Sequence, residues 1–545
     1  MTRKYVSIVL ASTLTAIAAP DSGSQTKQIE QDIAKKEKEL SQKHLVAPKK
    51  KASPDTNSVG FKTRVTAFDV SGMASFDSKT VIPSLLKEFL NKELTLSDIR
   101  KAADAIQGYY ADRGLIARVT VPAQSVENGV VKLLVTEGKA GEVILEDANA
   151  TRMKGDKLRE YLYRSQPKGS VLSMDGLQKG LYILNELPGL SVGSSLLPGA
   201  ADGFTDILIS AKDTVRADGM TFLDNYGSRF TGAVQATAIG SVNDLAGKGL
   251  YDQLSARVLK TQGSNYGRLA YSLPVGTSGL KLGLNGSKMD YKINTLSSAS
   301  GYSGESDSAG VSADYPLIRT KDKNLSLNFT LDRKHYQDKD NSDTVISSRR
   351  VNAINSTILG DSSDEYMGGG QSNFSATFTK GDVYSGNNPG NYYKTSATAS
   401  RLQRVDDNWQ LFAQATGQKA DKNLDSSEKM TIGGSSGVRA YPTGEASADE
   451  GMVATAELRR SLGNGLQAVV FYDYGFAHIN HDKTDTNAYS LSGVGAGITY
   501  TKNSLISKFQ LAKPVGPNKG EQSNGNDSDG LKPSARIWAS VQYKF

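Results

Sequence analysis

The sequence predicts a mainly β protein, in which a C-terminal transmembrane β-barrel of about 16 antiparallel strands follows two α/β modules and an N-terminal helix. Apolar and polar residues alternate in short segments from Met220 to the C-terminus, whereas residues 60–213 combine helical periodicity with short strands. Composition agrees with this division. A content of 38% hydrophobic residues, with 54 glycines and 24 tyrosines, is too polar for a helical membrane protein but suits a barrel with a wet lumen.

The first residues have the features of a secretory signal peptide, which we place at residues 1–19. Arg3 and Lys4 precede an apolar stretch over 6–19 that is too short to cross a bilayer as a helix. A small-x-small pattern at 16–18 predicts cleavage close to its end. A short uncleaved anchor is the structural alternative.

Residues 20–59 are predicted to form a polar helix and a linker. The helix is expected over 24–45, and the Pro-, Lys- and Ser-rich composition of 46–59 indicates the linker. The thin apolar stripe of the helix consists of Ile29, Ile33 and Leu40. A helix this polar does not fold alone, so it must dock in another part of the protein or remain partly disordered.

Two consecutive α/β modules are predicted, over 60–136 and 137–213, each with a strand, two helices and two further strands. In the first module we expect strands at 65–70, 116–121 and 130–135 and helices at 78–90 and 96–112. In the second we expect strands at 141–145, 190–196 and 205–210 and helices at 154–163 and 174–185. Thr95 or Ser97 could cap the second helix of the first module, and Gly114 ends it.

The barrel is expected over 214–545, and its strand count is even, as bacterial barrels require. The alternating segments are 220–226, 232–240, 251–260, 266–274, 279–288, 308–316, 324–333, 348–357, 371–379, 393–402, 408–417, 450–460, 464–473, 489–500, 504–512 and 534–545. With both ends in the periplasm, the connections after odd-numbered strands lie outside, and these include the long polar loops 289–307, 334–347, 474–488 and 513–533. The connections 358–370 and 380–392 do not both fit this scheme, because the latter is long for a periplasmic turn.

The last segment indicates a lipid-facing strand. Ile537, Ala539, Val541, Tyr543 and Phe545 alternate with Trp538, Ser540, Gln542 and Lys544. An outward apolar face also fits a soluble sandwich, but a terminal aromatic residue resembles the C-terminal signal of outer-membrane proteins. Phe545 is therefore interpreted as a barrel signal.

The sequence gives no positive reason for an enzyme or a cofactor. The net charge of +7 comes from interspersed charges and a basic N-terminal region, which is weak evidence for nucleic acid, and the absence of cysteine removes thiol chemistry and Cys metal sites. Gly493, Gly495 and Gly497 alternate in a predicted strand without a following helix, so they indicate close packing rather than a dinucleotide loop. His478 and His481 lie in a polar outer loop and are interpreted as solvated, not as metal ligands.

The longest break between segments, 418–449, carries a motif with a family resemblance. Val438, Arg439, Ala440 and Tyr441 resemble the Val-Arg-Gly-Tyr/Phe motif in the sixth extracellular loop of the superfamily that includes BamA and the two-partner secretion transporters. Phe471, Asp473 and Gly475 resemble the Phe-x-Asp-x-Gly motif on a later strand. The resemblance implies that the loop folds into the barrel and that Arg439 pairs with Asp473. An ordinary lumen ion pair is the alternative, and Ala440 in place of glycine implies a slightly different tip.

Further motifs resemble the ShlB/FhaC-like transporter branch, and the resemblance covers about residues 60–545. Barrel motifs stand at 223–227, 231–232, 271–276 and 315–319. Tyr109, Tyr110, Gly114, Ala117, Arg118, Pro122, Gln124, Glu137 and Gly138 resemble the first POTRA (polypeptide-transport-associated) domain of that branch. By their shared order, the chain is identified as a member of the two-partner secretion transporters, and its modules as two POTRA domains.

This resemblance implies an outer-membrane transporter that recognises a large exoprotein in the periplasm and secretes it through the barrel by type V secretion. The implied partners are a TpsA-like exoprotein (a haemolysin, an adhesin or a contact-dependent toxin), outer-membrane lipid and the barrel assembly machinery, with no nucleic acid. Residues 24–45 would plug the barrel and leave before transport. A BamA-like assembly factor is the alternative, although it usually carries more POTRA modules. A passive porin or adhesin would not need two modules.

Overall fold

The computed structural model describes residues 20–41, 62–293, 300–386, 388–482 and 487–545. The predicted signal peptide, the predicted linker and the side chain of Leu40 lie outside the described residues. Within the described ranges, no helix is both long and apolar enough to cross a membrane.

The N-terminal helix α1 spans Ser22–Ser41, close to the predicted range. The first module then contains β1 Lys62–Val65, β2 Ala67–Ser71, α2 Ser78–Leu85, a 3-10 turn Lys87–Phe89, β3 Lys92–Thr95, α3 Leu96–Ala111, β4 Ala117–Thr120 and β5 Val130–Glu137. Strands β2, β5 and β4 form one sheet, and β1 pairs with β3. In the sequence, helix α2 lies between β1 and β3, and helix α3 follows β3 directly.

Two predicted elements of this module differ in the structure. The single strand expected at 65–70 is divided at Thr66, because β1 pairs with β3 whereas β2 pairs in parallel with β5. The helix expected at 78–90 ends at Leu85 and continues only as the 3-10 turn. Pro83 lies inside this helix, where its missing N–H removes a helical hydrogen bond and shortens the run.

Helix α3 begins at a capping box and buries one face in the module core. Thr95 Oγ1 accepts from the N–H of Asp98 at 3.2 Å, and the Asp98 carboxylate accepts from the N–H of Thr95 at 3.1 Å. Of the two predicted caps, Thr95 is therefore the one used. The buried face of the helix consists of Ile99, Ala102, Ala103, Ile106 and Tyr110.

Glu137, one of the POTRA-like motif residues, links the segment after β2 to helix α3 through hydrogen bonds. Its carboxylate accepts from the N–H groups of Ala74 and Ser75 at 2.8 and 2.7 Å and from the Tyr110 hydroxyl at 2.7 Å. Burial raises the pKa of the Glu137 carboxyl, but the hydrogen bonds from Ser75, Tyr110 and Ala74 outweigh it, and the pKa lies below its ordinary value. The carboxylate is therefore a fixed structural anion of the module.

The second module repeats the plan of the first. It contains β6 Lys139–Leu145, α4 Gly155–Ser165, α5 Met174–Asn185, β7 Leu190–Pro198 and β8 Phe204–Asp213. Strand β8 lies between β6 and β7 in the sheet. Helix α5 has the predicted bounds, and the other elements differ from the prediction by a few residues at their ends.

Sixteen antiparallel strands close into a barrel, as the alternation predicts. They are β9 Ala217–Asp224, β10 Gln235–Asn243, β11 Gln253–Lys260, β12 Ser264–Val275, β13 Leu280–Lys292, β14 Ser303–Arg319, β15 Lys323–Lys339, β16 Val345–Asp364, β17 Gly370–Val383, β18 Gly390–Arg404, β19 Trp409–Ala420, β22 Glu450–Gly463, β23 Leu466–His478, β24 Ala488–Lys502, β25 Leu505–Pro514 and β26 Arg536–Lys544. The short strands β20 Met430–Thr431 and β21 Ser447–Ala448 lie in the connection between β19 and β22. Each predicted segment overlaps one observed barrel strand.

The middle strands are longer than predicted, and this resolves the two connections that did not fit. Strand β16 has 20 residues, whereas about 9–11 residues of a tilted strand cross a membrane. Extension of β16 and β17 shortens the connection between them to 365–369, at the barrel end nearest the modules. The connection at 384–389 follows the ninth barrel strand and therefore lies at the opposite end, so interpreting it as a turn on the module side was wrong.

The second module contacts turns and strand ends of the barrel. Tyr251, from the turn after β10, is buried in the hydrophobic core of the module and donates to Asp213 at 2.5 Å. Burial and the Asp213 carboxylate raise the pKa of the Tyr251 hydroxyl. Arg152 contacts the buried Asp244 at 3.2 Å, and Arg319 from the end of β14 binds Glu186. These contacts fix the module at the entrance of the barrel.

Candidate functional site

The connection 421–449 folds back into the barrel and packs against its inner wall. Strands β20 and β21 pair within it, and the N–H of Val438 donates to the carbonyl of Ile432 at 2.8 Å. Ile432, Val438, Ala440 and Tyr441 are buried in one cluster with wall residues such as Phe471. The loop is thus a folded element that presents one arginine to the wall.

Arg439 meets Asp473 in a bidentate ion pair. Arg439 Nε and Nη2 donate to the two carboxylate oxygens of Asp473 at 2.9 and 2.7 Å, and the Arg439 N–H donates to the same carboxylate at 3.1 Å. Arg439 is 4% exposed and Asp473 is fully buried. A buried charge costs several kcal/mol unless it is paired, so this geometry fixes the loop tip on β23.

Three further wall residues contact Arg439, namely Glu457, Phe471 and Trp538. Only Phe471 belongs to one of the sequence motifs. Arg439 Nη1 donates to Glu457 at 2.7 Å, and its guanidinium carbon lies 3.4 Å from the ring centroid of Phe471. The indole N–H of Trp538 donates to the carbonyl of Arg439 at 2.7 Å. Glu457 also accepts from Arg459 at 2.6 Å, so two guanidinium groups share the carboxylates of Glu457 and Asp473.

Close packing of the loop on the wall requires glycine at two positions. A Cβ on Gly475 would lie 2.3 Å from Ile432 Cγ2, and a Cβ on Gly493 would lie 2.5 Å from the Cβ of Ala440. The small residues of the Gly493 strand therefore allow close packing, as interpreted from the sequence. Ala440 does not adopt a positive φ, so its methyl group is accommodated by Gly493 without backbone strain.

The other two motif residues of the loop are structural. Val438 is fully buried against the wall, and the ring of Tyr441 is 1% exposed. The carbonyl of Tyr441 accepts from the N–H of Gly434 at 3.2 Å, which closes the tip. The base of the loop is held by Glu445, which accepts from Asn518 at 3.0 Å and from the N–H of Ser528 at 2.8 Å.

Helix α1 lies inside the barrel, where it binds the first strands. Lys36 Nζ contacts Asp224 of β9 at 2.6 Å and Asp32 at 2.7 Å, and both partners of the Lys36–Asp224 pair are buried. Glu37 contacts Arg257 at 2.8 Å with both side chains partly exposed. Asp224 belongs to the 223–227 motif, so that motif supplies the counter-charge for the helix.

The helix has an apolar middle, with polar contacts toward both of its ends. Ile29 and Ile33 pack against wall residues including Phe222, Tyr266 and Met289. The hydroxyls of Thr26 and Ser306 lie 2.6 Å apart, and the N–H of Ser22 donates to Asp338 at 2.8 Å. Two of the three predicted stripe residues are therefore buried, and the rest of the interface is polar.

The helix also touches the loop. Lys35 Nζ donates to the carbonyl of Ser435 at 2.7 Å, and Gln28 and Asp32 line a cavity of about 370 Å³ between the helix and loop residues including Ser435 and Thr443. Helix and loop together thus occupy the lumen as one polar assembly.

The first and last barrel strands meet in a short seam. Strand β26 pairs with β9 through five register pairs, from Ser540↔Asp224 to Lys544↔Met220. The Asn225 side chain extends the pairing, since it accepts from the N–H of Ala539 and donates to the carbonyl of Ile537, both at 2.9 Å. Phe545 exchanges backbone hydrogen bonds with Gly219 at 3.0 and 3.1 Å, so the terminal residue closes the seam.

The two histidines of the outer loop are less free than the sequence indicates. His481 Nδ1 lies 2.9 Å and His478 Nδ1 3.6 Å from the Glu450 carboxylate. Each imidazole therefore has a carboxylate neighbour and is less solvated than the sequence interpretation holds. Among the described residues, no group of three or more His, Cys, Asp or Glu side chains could hold a metal ion.

Comparison with known families assigns this architecture. The haemolysin secretion/activation protein ShlB/FhaC/HecB family matches residues 203–500, and the ShlB-type POTRA domain matches residues 63–138. The chain belongs to the ShlB/FhaC/HecB family.

Individual relatives agree over nearly the whole chain. The Heme/hemopexin transporter protein HuxB of Haemophilus influenzae (strain 86-028NP) is 27% identical over 94% of this chain and 94% of its own length. The outer membrane transporter CdiB of Dickeya dadantii (strain 3937) is 22% identical over 93% of both. Alignment with these relatives therefore includes both modules and the barrel.

Solved structures show the same fold. CdiB from Escherichia coli superimposes with a TM-score of 0.74 at 20% identity and covers 98% of this chain and all of its own. BamA from Haemophilus ducreyi lacking POTRA domains 1–3 gives a TM-score of 0.52 at 14% identity over 89% of this chain. The BamA-type fold is thus the more distant of the two.

The family assignment fixes the general role. This member is an outer-membrane transporter of a two-partner secretion system, with its barrel in the outer membrane and its POTRA modules in the periplasm. Members of the family are transporters rather than enzymes, and they act with TpsA-like exoproteins. The barrel end nearest the modules is therefore the periplasmic end, and the opposite end is extracellular.

Proposed function

We propose that the two modules capture an extended segment of a large TpsA-like exoprotein and pass it through the barrel after helix α1 has left the lumen. The observation that carries this proposal is a closed barrel whose lumen holds one polar helix, with the modules fixed at its entrance. An extended segment can add to a sheet edge through backbone hydrogen bonds, so capture need not depend on one sequence.

The contacts of α1 suit a helix that leaves. Its contacts with the wall include hydrogen bonds and partly exposed ion pairs, for which water can substitute when the lumen opens. Lys27 faces the like charges of Lys334 and Lys394 together with Glu428, which pairs with both of those lysines at 3.0 and 2.6 Å. The energetic cost of emptying the lumen is therefore smaller than for an apolar plug of the same length.

The Arg439–Asp473 pair is proposed to keep the loop 421–449 seated while the helix leaves. Because the loop is attached to β23 and to the extracellular loop around Asn518, it can stay on the wall when the Lys35 contact breaks. The exported chain would then pass between this fixed loop and the wall that α1 vacates.

We further propose that the exported protein is of the heme/hemopexin-related type named for the HuxB relatives. These relatives are 27% identical over 94% of the chain, whereas the CdiB relative of D. dadantii is 22% identical over 93%. Outer-membrane lipid and the barrel assembly machinery, which would read the terminal strand ending in Phe545, are the other proposed partners. No catalytic step, cofactor or nucleic acid is proposed.

The test is to delete the gene and identify what accumulates in the periplasm. We expect one very large protein to disappear from the medium and cell surface and to appear, partly degraded, in the periplasm. Wild-type chain supplied in trans should restore its secretion. Loss of many unrelated barrel proteins from the membrane, with normal secretion, would instead favour an assembly factor. A heme-binding assay on the restored secreted protein decides the cargo type.

A further inference from the structure

A groove of about 640 Å³ crosses the outer surface of β13 to β18 and carries a row of aliphatic side chains. Leu284 pairs with Val311, Val311 with Leu331, and Leu331 with Ile354, so these residues lie side by side on adjacent strands. Each of them is between 44% and 59% exposed, because they point away from the lumen. This aliphatic row therefore faces the hydrocarbon of the membrane.

The groove lies where the apolar band ends on the extracellular side. Along β15 the outward residues change from Phe329 and Leu331 to Arg333 and His335 as the strand runs toward its extracellular end. The register continues this boundary across the next strand, since Arg333 pairs with Asn352 and His335 with Arg350. The aliphatic row is thus immediately below a row of polar and cationic side chains.

Two guanidinium groups at this boundary are available to a ligand. Within the described ranges, no hydrogen bond or ion pair engages the side chain of Arg333 or Arg350. Asp307 lies 3.5 Å from His335, and Asp382 pairs with Asn352, on the strand next to that of Arg350 and two strands from Arg333. Lys380 ends the aliphatic row, with its Nζ 6.0 Å from the ring centroid of Tyr393.

We propose that this groove binds a phosphorylated lipid of the outer leaflet, with an acyl chain on the aliphatic row and a phosphate group between Arg333 and Arg350. The floor lies in hydrocarbon and the cations lie at its edge, so the occupant must carry both an alkyl chain and an anion. Guanidinium groups bind phosphate oxygens in a bidentate manner and are weakly hydrated, which suits them to the membrane interface. The long side chain of Lys380 can reach the same level from the aliphatic row.

The site is on the wall opposite the β9–β26 seam, on the longest strands of the barrel. A lipid held there would bridge β13 to β18 on the outside, where the lumen contents do not reach. It is therefore independent of the loop and helix contacts that serve transport.

The test measures lipid binding to the full-length transporter in detergent by native mass spectrometry. The probes are bisphosphorylated lipid A, the same lipid without its phosphates, and inorganic pyrophosphate. We expect wild type to retain one bisphosphorylated lipid A and to bind the dephosphorylated lipid and pyrophosphate much more weakly. The double variant Arg333→Gln, Arg350→Gln should lose about tenfold or more in affinity, since two charged hydrogen-bonding groups are removed.

Two matched variants separate a site from general charge attraction. Ala309 lines the groove beside Arg333, and Ala309→Trp should block binding while keeping both arginines. Lys260 and Lys419 are exposed outward lysines near the extracellular ends of β11 and β19, and Lys260→Gln with Lys419→Gln should leave affinity unchanged. Equal binding of both lipids, equal loss in the lysine control, or replacement of lipid by a second copy of the chain would each overturn the proposal. Heat-modifiable migration verifies that every variant is folded.

Discussion

Arg439 has more partners than a single ion pair provides. Its two carboxylate partners differ in whether they keep another charged partner when Arg439 is removed. Asp473 has Arg439 as its charged partner, whereas Glu457 also binds Arg459 at 2.6 Å. Removal of the arginine therefore leaves Asp473 buried and without a counter-charge. Removal of Asp473 leaves Arg439 still paired with Glu457 at 2.7 Å.

This asymmetry gives the first prediction. Arg439→Ala should destabilise the seated loop by about 3 kcal/mol or more, because a buried carboxylate loses its partner, and secretion should fall strongly while the barrel still assembles. Asp473→Ala should give a smaller defect, and the double variant should not show the sum of both defects. The measurement is secreted exoprotein per unit of folded transporter for the three variants.

Two controls belong to the same experiment. Arg439→Lys keeps the charge but loses the two-pronged contact and the stacking on Phe471, so it should not restore secretion. Arg460→Ala removes an arginine from the outer face of the Glu457 strand and should secrete normally. Wild-type secretion by Arg439→Ala, or fully additive losses, would show that Arg439 and Asp473 form an ordinary lumen ion pair without a role in secretion.

At the residue scale, the sequence motifs indicate the loop and its partner strand but not the full set of contacts. Glu457 could have been found, because Thr455 pairs with Asp473 in the β22–β23 hairpin and alternation then puts Glu457 on the lumen side. Trp538 could not, because its contact with the loop depends on closure of the barrel by the last strand. Ala440 is explained only once Gly493 is seen beside it.

At the element scale, helix α1 holds its place through one fully buried ion pair and several exposed ones. The Lys36–Asp224 pair is buried on both sides, whereas the Glu37–Arg257 pair is partly exposed on both. Loss of a buried ion pair costs more free energy than loss of an exposed pair of similar geometry, because an unpaired charge is costly only where water is excluded. Lys36 and Glu37 are adjacent in the chain, so substitutions at these two positions compare a buried ion pair with a partly exposed one.

The second prediction follows. Deleting residues 20–41 should raise single-channel conductance in a planar bilayer, because the helix occupies the lumen. Lys36→Ala should raise the open fraction as well, by about 100-fold if the loss is about 3 kcal/mol. Glu37→Ala should change it little, since exposed pairs contribute about 0–1 kcal/mol. Unchanged conductance after the deletion would show that α1 does not block the pore in the membrane.

Regular elements were the most predictable part of this chain, and short or folded-back ones the least. All sixteen barrel strands follow from period-2 alternation, and helix α5 has the bounds that the sequence predicts. The β1–β3 pair was missed because each strand has four residues, too few for a period to be read. The entry of the loop into the barrel was implied by the resemblance, but its internal β20–β21 pair was not predicted, because the loop packs in a core shared with distant strands.

At the scale of the whole molecule, the barrel is closed by its own strands, and the second module touches its periplasmic turns and the periplasmic ends of β13 and β14. Each of the sixteen strands pairs with two barrel neighbours. The seam between β9 and β26 is the shortest junction and depends on Asn225 and Phe545, both within the barrel segment. Tyr251 is a barrel side chain that is buried in the hydrophobic core of the second module.

The last prediction therefore concerns independent folding. A chain that lacks residues 19–213 should still form a heat-modifiable, protease-resistant barrel, because none of the strand pairs is removed. Its migration before and after heating and its resistance to trypsin are the measurements. The same fragment with Asn225→Ala and without Phe545 is the control, and it should lose heat-modifiability because the five-pair seam loses both of its extensions. Complete digestion of the first fragment would mean that the second module, through Tyr251 and Arg319, is needed to close the barrel rather than only to deliver the exoprotein to it.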